Sequence, residues 1–246
     1  MDIRRFRKSL KRYLITGASR GIGRAIAEKL AGKDVELLLH GRDTVALAQT
    51  RKVVEPQCAK VTPLIHDLAT ARGVSDLIAE AGRDPIDLLV NNAGIYDDAP
   101  MAGMRADQWS HVIAVSLGGF FNVTQPLLLP MIGTRWGRVI TISSVSALLG
   151  NRGQTNYAAA KAGLHGASKS LALEVASRGV TVNVVALGFI ESRMIEQGCK
   201  PEKIGALVPM KRAGTPQEVA YLVGFLASEK ADYISGQVIG LNGGMV

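Results

Sequence analysis

The chain has 246 residues, 47% hydrophobic and 20% charged, which suits one large α/β domain and excludes a disordered chain. Its 27 glycines follow no collagen period and no low-complexity tract, so they serve particular backbone positions. The net charge of +8 is uneven: five of those charges fall in residues 1–12, where Arg4, Arg5, Arg7, Lys8, Lys11 and Arg12 stand against Asp2, leaving a nearly neutral body with no basic stripe for nucleic acid.

Residues 1–12 are therefore expected to form a basic arm, solvated or in contact with an acidic partner, ahead of one domain over 13–246. Cys58 and Cys199 are too few for a disulfide framework and lack metal-site spacing, which suits a reducing cytoplasm and predicts no metal. No run approaches the ~18 apolar residues of a membrane span, and no apolar core marks a signal peptide.

In chain order, Tyr13–Thr16, Val35–Leu39, Val61–Ile65, Leu88–Val90, Val139–Ile142, Val180–Val185 and Val238–Leu241 read as short buried strands. Between them, Ile22, Ile26 and Leu30 share a helical face, as do Val74, Leu77 and Ile78, and the other spacers are long enough for crossover helices. This alternation predicts a seven-stranded parallel sheet with helices on both faces. Phe189 to Pro209 is poorly periodic and is expected to form a lid. A capping box of Thr215, Pro216 and Glu218 starts a further helix.

Directly after the first strand comes Thr16-Gly17-Ala18-Ser19-Arg20-Gly21-Ile22-Gly23. A strand-to-helix turn of this kind offers free amides and a positive dipole end to a phosphate, and glycine admits the close approach of a pyrophosphate. Packing alone can also demand such glycines. The second strand runs out into His40-Gly41-Arg42, and Arg42 with Arg20 can clamp the 2′-phosphate of NADP through planar guanidinium donors. Asp43 keeps NAD as the less favoured cofactor, although capping the next helix is its plainer role.

Tyr157 and Lys161 lie four apart and so share a helix face. A free tyrosine, with a pKa near ~10, is a poor proton shuttle, and a nearby ammonium is expected to lower that value. With these residues in view the chain resembles the short-chain dehydrogenase/reductases over residues 13 to 245. The glycine turn, Asn91-Asn92-Ala93-Gly94 and the Tyr157–Lys161 pair carry the likeness, and Ser144, thirteen residues before Tyr157, falls at the family's catalytic serine. Ser143 and Ser146 are its rivals.

The resemblance implies a doubly wound Rossmann-type domain that reduces a carbonyl with a nicotinamide cofactor. Ser144 is then expected to bond the carbonyl oxygen, Tyr157 to protonate it, and Lys161 to hold the nicotinamide ribose. It further implies that Gly17, Ser19, Arg20, Gly21, Ile22, Gly23, Arg42, Asp67, Leu68, Asn92, Ala93, Gly94 and Ile190 bind cofactor along with Tyr157 and Lys161. Two positions depart from the family pattern. Ser116 stands where many members carry an asparagine that holds a relay water, and its hydroxyl offers fewer hydrogen-bonding groups. Leu187 stands where proline is usual, which predicts a less rigid loop over the nicotinamide.

Within the family the likeness is to 3-oxoacyl-[acyl-carrier-protein] reductases, seen in Gly150 to Tyr157 and in the tail from Tyr233 to Met245. This implies reduction of a 3-oxoacyl thioester on an acyl carrier protein, in fatty acid or a related polyketide or polyene synthesis. Arg135 and Arg178 fall where such enzymes present arginines to the carrier, with Arg138 as a neighbour. The resemblance also implies a homotetramer, for which the alanine- and glycine-rich helix from Tyr157 to Glu174 is suited. Another secondary alcohol or steroid dehydrogenase, and a non-catalytic nucleotide-binding regulatory subunit, are the alternatives.

Overall fold

The computed structural model describes residues 10–82, 84–191 and 201–246. Seven parallel strands make one sheet: β1 (Lys11–Ile15), β2 (Val35–His40), β3 (Lys60–Leu64), β4 (Leu88–Asn91), β5 (Gly137–Ser144), β6 (Val180–Leu187) and β7 (Val238–Leu241). They lie in the order β3-β2-β1-β4-β5-β6-β7. All seven expected strands are present, and several extend into polar residues.

Alternate residues of each strand feed opposite cores, which explains the unbroken apolar runs. Tyr13, Ile15, Leu37, Leu39, Leu88 and Val90 pack on one face with α1 (Gly21–Leu30), α2 (Thr44–Val54) and the helix Pro216–Ala227. Leu14, Leu38, Leu89 and Val139 pack on the other, against α3 (Ala71–Ala81), α5 (Gly119–Gly133) and α7 (Thr155–Val175). Among the described residues the other α-helices are α4 (Ala106–Ile113), α6 (Ser146–Leu149) and α8 (Pro201–Leu207), and Pro216–Ala227 is α9. The Thr215 side chain accepts from Glu218 N–H at 3.2 Å while the Glu218 carboxylate accepts from Thr215 N–H at 2.7 Å, so the expected capping box starts α9.

The first strand begins two residues before its apolar pattern, at Lys11. Arg12 is buried within it and pairs with Glu36 at 2.7 Å, while its guanidinium also reaches the carbonyl of Ala81 at 2.6 Å. A charge met so completely inside the sheet satisfies the demand that burial imposes. Residues 1–9 of the expected arm lie outside the described residues, as do residues 192–200 of the expected lid; α8 lies within the part of it that is described.

α4 and α5 are joined through a π turn, Ala114–Gly118, into a continuous helix over Ala106–Gly133 that is long and apolar enough by composition to cross a membrane. Its residues Val112, Val115, Phe120, Val123, Leu127 and Met131 are buried in the fold. It is a core helix, and its apolar character serves the sheet.

Candidate active site

Between β1 and β4 the strand order reverses, and at such a switch point a parallel sheet opens a crevice beyond its carboxyl ends. A cleft of about 320 Å³ lies there, walled by Gly17, Ser19 and Arg20 after β1, His40 to Asp43 at the end of β2, Asp67 and Leu68 after β3, and Ala93 to Ile95 after β4. Gly17 has φ +67°, and a Cβ on Gly23 would come within 2.1 Å of the Gly17 carbonyl oxygen. The turn therefore closes tightly on α1 only with glycine at both places. These residues fit a dinucleotide: bare backbone faces the cleft where a pyrophosphate needs amides, at the start of a ten-residue helix.

Asn92, expected to bind cofactor, turns its side chain to the glycine turn. Its amide donates to the carbonyls of Thr16 at 2.9 Å and Gly17 at 3.0 Å, so it ties the end of β4 to the glycine turn. Thr16, which sequence reasoning did not select, accepts from the amides of Asn92 at 2.9 Å and Ala93 at 3.0 Å. Gly21 and Ile22 open α1, and Ile22 packs against the core. Ile190 is buried in that same core and forms a parallel bridge with Gly214.

Both guanidinium groups expected to clamp a 2′-phosphate line the cleft, and both hold carboxylates. Arg20 pairs with Asp43, and Arg42 lies 3.6 Å from Asp67. Asp43 also accepts from Ala46 N–H at 3.0 Å, which gives it the capping role. Leu187 belongs to β6: its carbonyl accepts from Val145 N–H at 2.7 Å and its side chain is buried, so this position is held by the sheet.

Ser144 ends β5 and Tyr157 lies in the first turn of α7, close enough for the serine hydroxyl to act on the proton affinity of the phenol. The rivals are committed elsewhere. Ser143 Oγ contacts His165 Nε2 at 2.8 Å, and Ser146 Oγ donates to Gln154 at 3.0 Å. Lys161 is buried, and its ammonium donates to the Ile142 carbonyl at 3.0 Å. A Cβ on Gly94 would stand 3.1 Å from Lys161 Nζ and 3.7 Å from Ser116 Oγ, so glycine lets both side chains close on this wall.

The electrostatics correct one expectation. Burial pushes the Tyr157 phenol above the ordinary tyrosine value, the nearby Ser144 hydroxyl opposes this, and Asp98 adds to the rise. Lys161 does not hold the phenol acidic in the free protein: its ammonium sits 5.7 Å from the centre of the ring, and burial lowers its own pKa to about 8. Spacing on a helix brought the two together, but desolvation outweighs their attraction.

Ser116 lies in the π turn, buried, and faces a small cavity of about 10 Å³ that Thr141 and Asn91 also line. The Oγ of Ser116 and the Oγ1 of Thr141 have no hydrogen-bond partner among the described residues. A volume of this order admits one water.

Arg138 cannot dock a carrier. It is 1% exposed, stacks on the Trp136 ring at 4.4 Å and pairs with Asp232, so its charge is spent inside the protein. Arg135 and Arg178 are exposed, but they precede β5 and β6, whereas Ser144 and Leu187 end them. At a rise near 3.3 Å per residue, that places them roughly 23 Å from the catalytic end.

A family model described as Enoyl-(Acyl carrier protein) reductase matches residues 17–246. The chain belongs to the short-chain dehydrogenase/reductase family. It is 44% identical over 235 residues to the 3-oxoacyl-[acyl-carrier-protein] reductases FabG of Salmonella typhimurium and Escherichia coli, covering 94% of this chain and 96% of each relative. FabG of Aquifex aeolicus is also 44% identical, over 238 residues, with the same shares covered. The fold is that of the family, so the sheet, the glycine turn and the Ser144–Tyr157–Lys161 group are read in its frame.

Proposed function

We propose that this chain reduces a 3-oxoacyl thioester, carried on an acyl carrier protein, to the 3-hydroxyacyl thioester with NADPH. The observation that carries this reading is the grouping of Ser144, at the end of β5, with Tyr157 and Lys161 on α7, Lys161 lying against Gly94 in the wall of a dinucleotide-sized cleft. The names of the full-length relatives supply the substrate class.

The Ser144 and Tyr157 hydroxyls can converge on one carbonyl oxygen. Ser144 donates a hydrogen bond that stabilises charge growing there, and Tyr157 delivers the proton that completes the alcohol. The reduced nicotinamide supplies the hydride to the carbonyl carbon when bound. A phenol kept protonated by burial is a proton donor in waiting, and reduction is the direction that uses it. Lys161, charged below about pH 8, places a positive charge on the side from which the phenol is re-protonated. Ser116 fits a relay in which its cavity holds the water that passes protons toward Lys161.

Arg20 and Arg42 support NADPH over NADH, since each can exchange its carboxylate partner for the more highly charged 2′-phosphate. We place carrier docking on Arg135 and Arg178 alone. Because these lie at the far end of the sheet, a carrier held there reaches a catalytic cleft only within an assembly. A homotetramer suits this: Phe121, Leu129 and Leu173 leave large apolar side chains exposed on α5 and α7, and Tyr221 and Phe225 do so on α9. A cytoplasmic location accompanies the reading.

The description of the matching family model favours a second reading, reduction of an enoyl thioester. Steady-state oxidation of NADPH with acetoacetyl and with crotonyl thioesters separates the two. Turnover of the acetoacetyl substrate alone is the expected result; turnover of crotonyl alone assigns enoyl reduction, and turnover of neither removes both.

A further inference from the structure

His40 is the last residue of β2 and is 3% exposed, yet no catalytic step uses it. Its ring has a partner at each nitrogen. Gly17 N–H donates to Nδ1 at 3.3 Å, and Nε2 lies 3.0 Å from the His66 carbonyl oxygen. An amide N–H only donates and a carbonyl only accepts, so both bonds are made by one species: the neutral ring with its proton on Nε2.

The two partners belong to different walls of the dinucleotide cleft. Gly17 begins the glycine turn, while His66 immediately precedes Asp67 and Leu68 on the wall after β3. The His40 carbonyl also accepts from Ala18 N–H at 2.8 Å. The first two amides of the turn are thus committed to His40. Nearby, a Cβ on Gly41 would fall 2.1 Å from Ser19 Oγ, so the turn is drawn hard against the end of β2. Thr50 secures it from α2, donating to the Ser19 carbonyl at 3.1 Å.

We propose that His40 is a positioning residue for the dinucleotide: its ring cross-links the glycine turn to the wall bearing Asp67 and so sets the spacing of the cleft that grips the adenosine and pyrophosphate. This rests on the reading of the cleft as a nicotinamide dinucleotide site. Filling space is a different role, and side-chain shape separates the two. Leucine fills the volume and makes neither bond. Asparagine can place an amide oxygen where Nδ1 accepts from Gly17, and glutamine can place an amide N–H where Nε2 donates to His66.

The test is the dissociation constant of NADPH, measured by calorimetry on the full chain for wild type, His40→Leu, His40→Asn and His40→Gln, with thermal midpoints alongside. We expect His40→Leu to weaken NADPH by about tenfold, roughly one hydrogen bond's worth. Asparagine and glutamine should each recover part of that loss, whatever their thermal midpoints. Wild-type affinity in His40→Leu, or asparagine and glutamine binding no better than leucine, overturns the cross-link while leaving the cofactor site intact. A wild type that binds neither NADPH nor NADH overturns the dinucleotide reading and this proposal with it.

Discussion

Lys161 Nζ lies 5.7 Å from the centre of the Tyr157 ring and gives a hydrogen bond to the Ile142 carbonyl, in a setting where burial lowers its pKa to about 8. The ammonium is therefore a titrating part of the catalytic apparatus near neutral pH. Reduction should hold steady below that value and lose rate above it, as Lys161 gives up its charge. The kcat/KM of thioester reduction is expected to fall by about tenfold per pH unit on the alkaline side. Lys161→Arg keeps its charge there, so a profile of that variant with the same alkaline limb would assign the titration to another group.

Arg42 and Arg20 each hold a carboxylate at the mouth of the cleft, with Asp67 and Asp43 as partners. Removing either guanidinium should weaken NADPH by about 10- to 100-fold, the worth of a charged hydrogen bond. NADH, lacking the 2′-phosphate, should lose little. Equal losses for both nucleotides would place these arginines outside the 2′-phosphate site.

His40 also leaves a mark on stability. Burial lowers its pKa from 6.5 to about 4, aided by the positive charge of Arg42 and by His66 and opposed by the bond to the His66 carbonyl and by Asp67. Between those two pH values the unfolded chain takes up a proton that the folded protein refuses, so stability is full above pH 6.5 and declines as pH falls to about 4. The decline reaches about 3 kcal/mol at most, at ~1.4 kcal/mol per unit. Chemical denaturation of His40→Asn across this range should show a shallower slope; an unchanged slope would assign it to other groups.

Arg138 and the pair Arg135 and Arg178 should part company under mutation. Arg138→Ala removes a buried guanidinium packed on Trp136 and is expected to cost about 1–3 kcal/mol of stability, read as a lower denaturation midpoint. Arg135→Glu and Arg178→Glu should leave stability nearly unchanged and weaken salt-sensitive carrier binding. Carrier binding that survives both substitutions removes the docking assignment.

A methyl group at Gly23 meets the Gly17 carbonyl at 2.1 Å. Gly23→Ala should destabilise the fold by about 1–3 kcal/mol and reduce nucleotide affinity through displacement of the turn. Unaltered affinity and thermal midpoint would show that α1 can move away at no cost.

The strands were legible because a sheet buried on both faces writes itself as continuous apolar runs, Leu37-Leu38-Leu39 being the clearest. Their polar ends were hidden. Arg12 reads as an arm residue until Glu36 is seen across the sheet, and Arg138 reads as surface until Trp136 and the distant Asp232 enclose it. Helix periodicity put Tyr157 and Lys161 on one face, and Ser144 was found through the resemblance to the family. Their proton affinities were not legible, since desolvation depends on everything packed around them. His40 escaped notice for a related reason: its partners, 23 and 26 positions away, meet only in the fold.

The account as a whole is tested most directly by the initial rate of NADPH oxidation with an acetoacetyl thioester in wild type and in Tyr157→Phe, with NADPH affinity measured in both. A fall of at least about 100-fold in kcat at unchanged NADPH affinity is predicted, since only the transferable proton is removed. Equal rates in the two proteins would contradict the assignment of Tyr157 as proton donor.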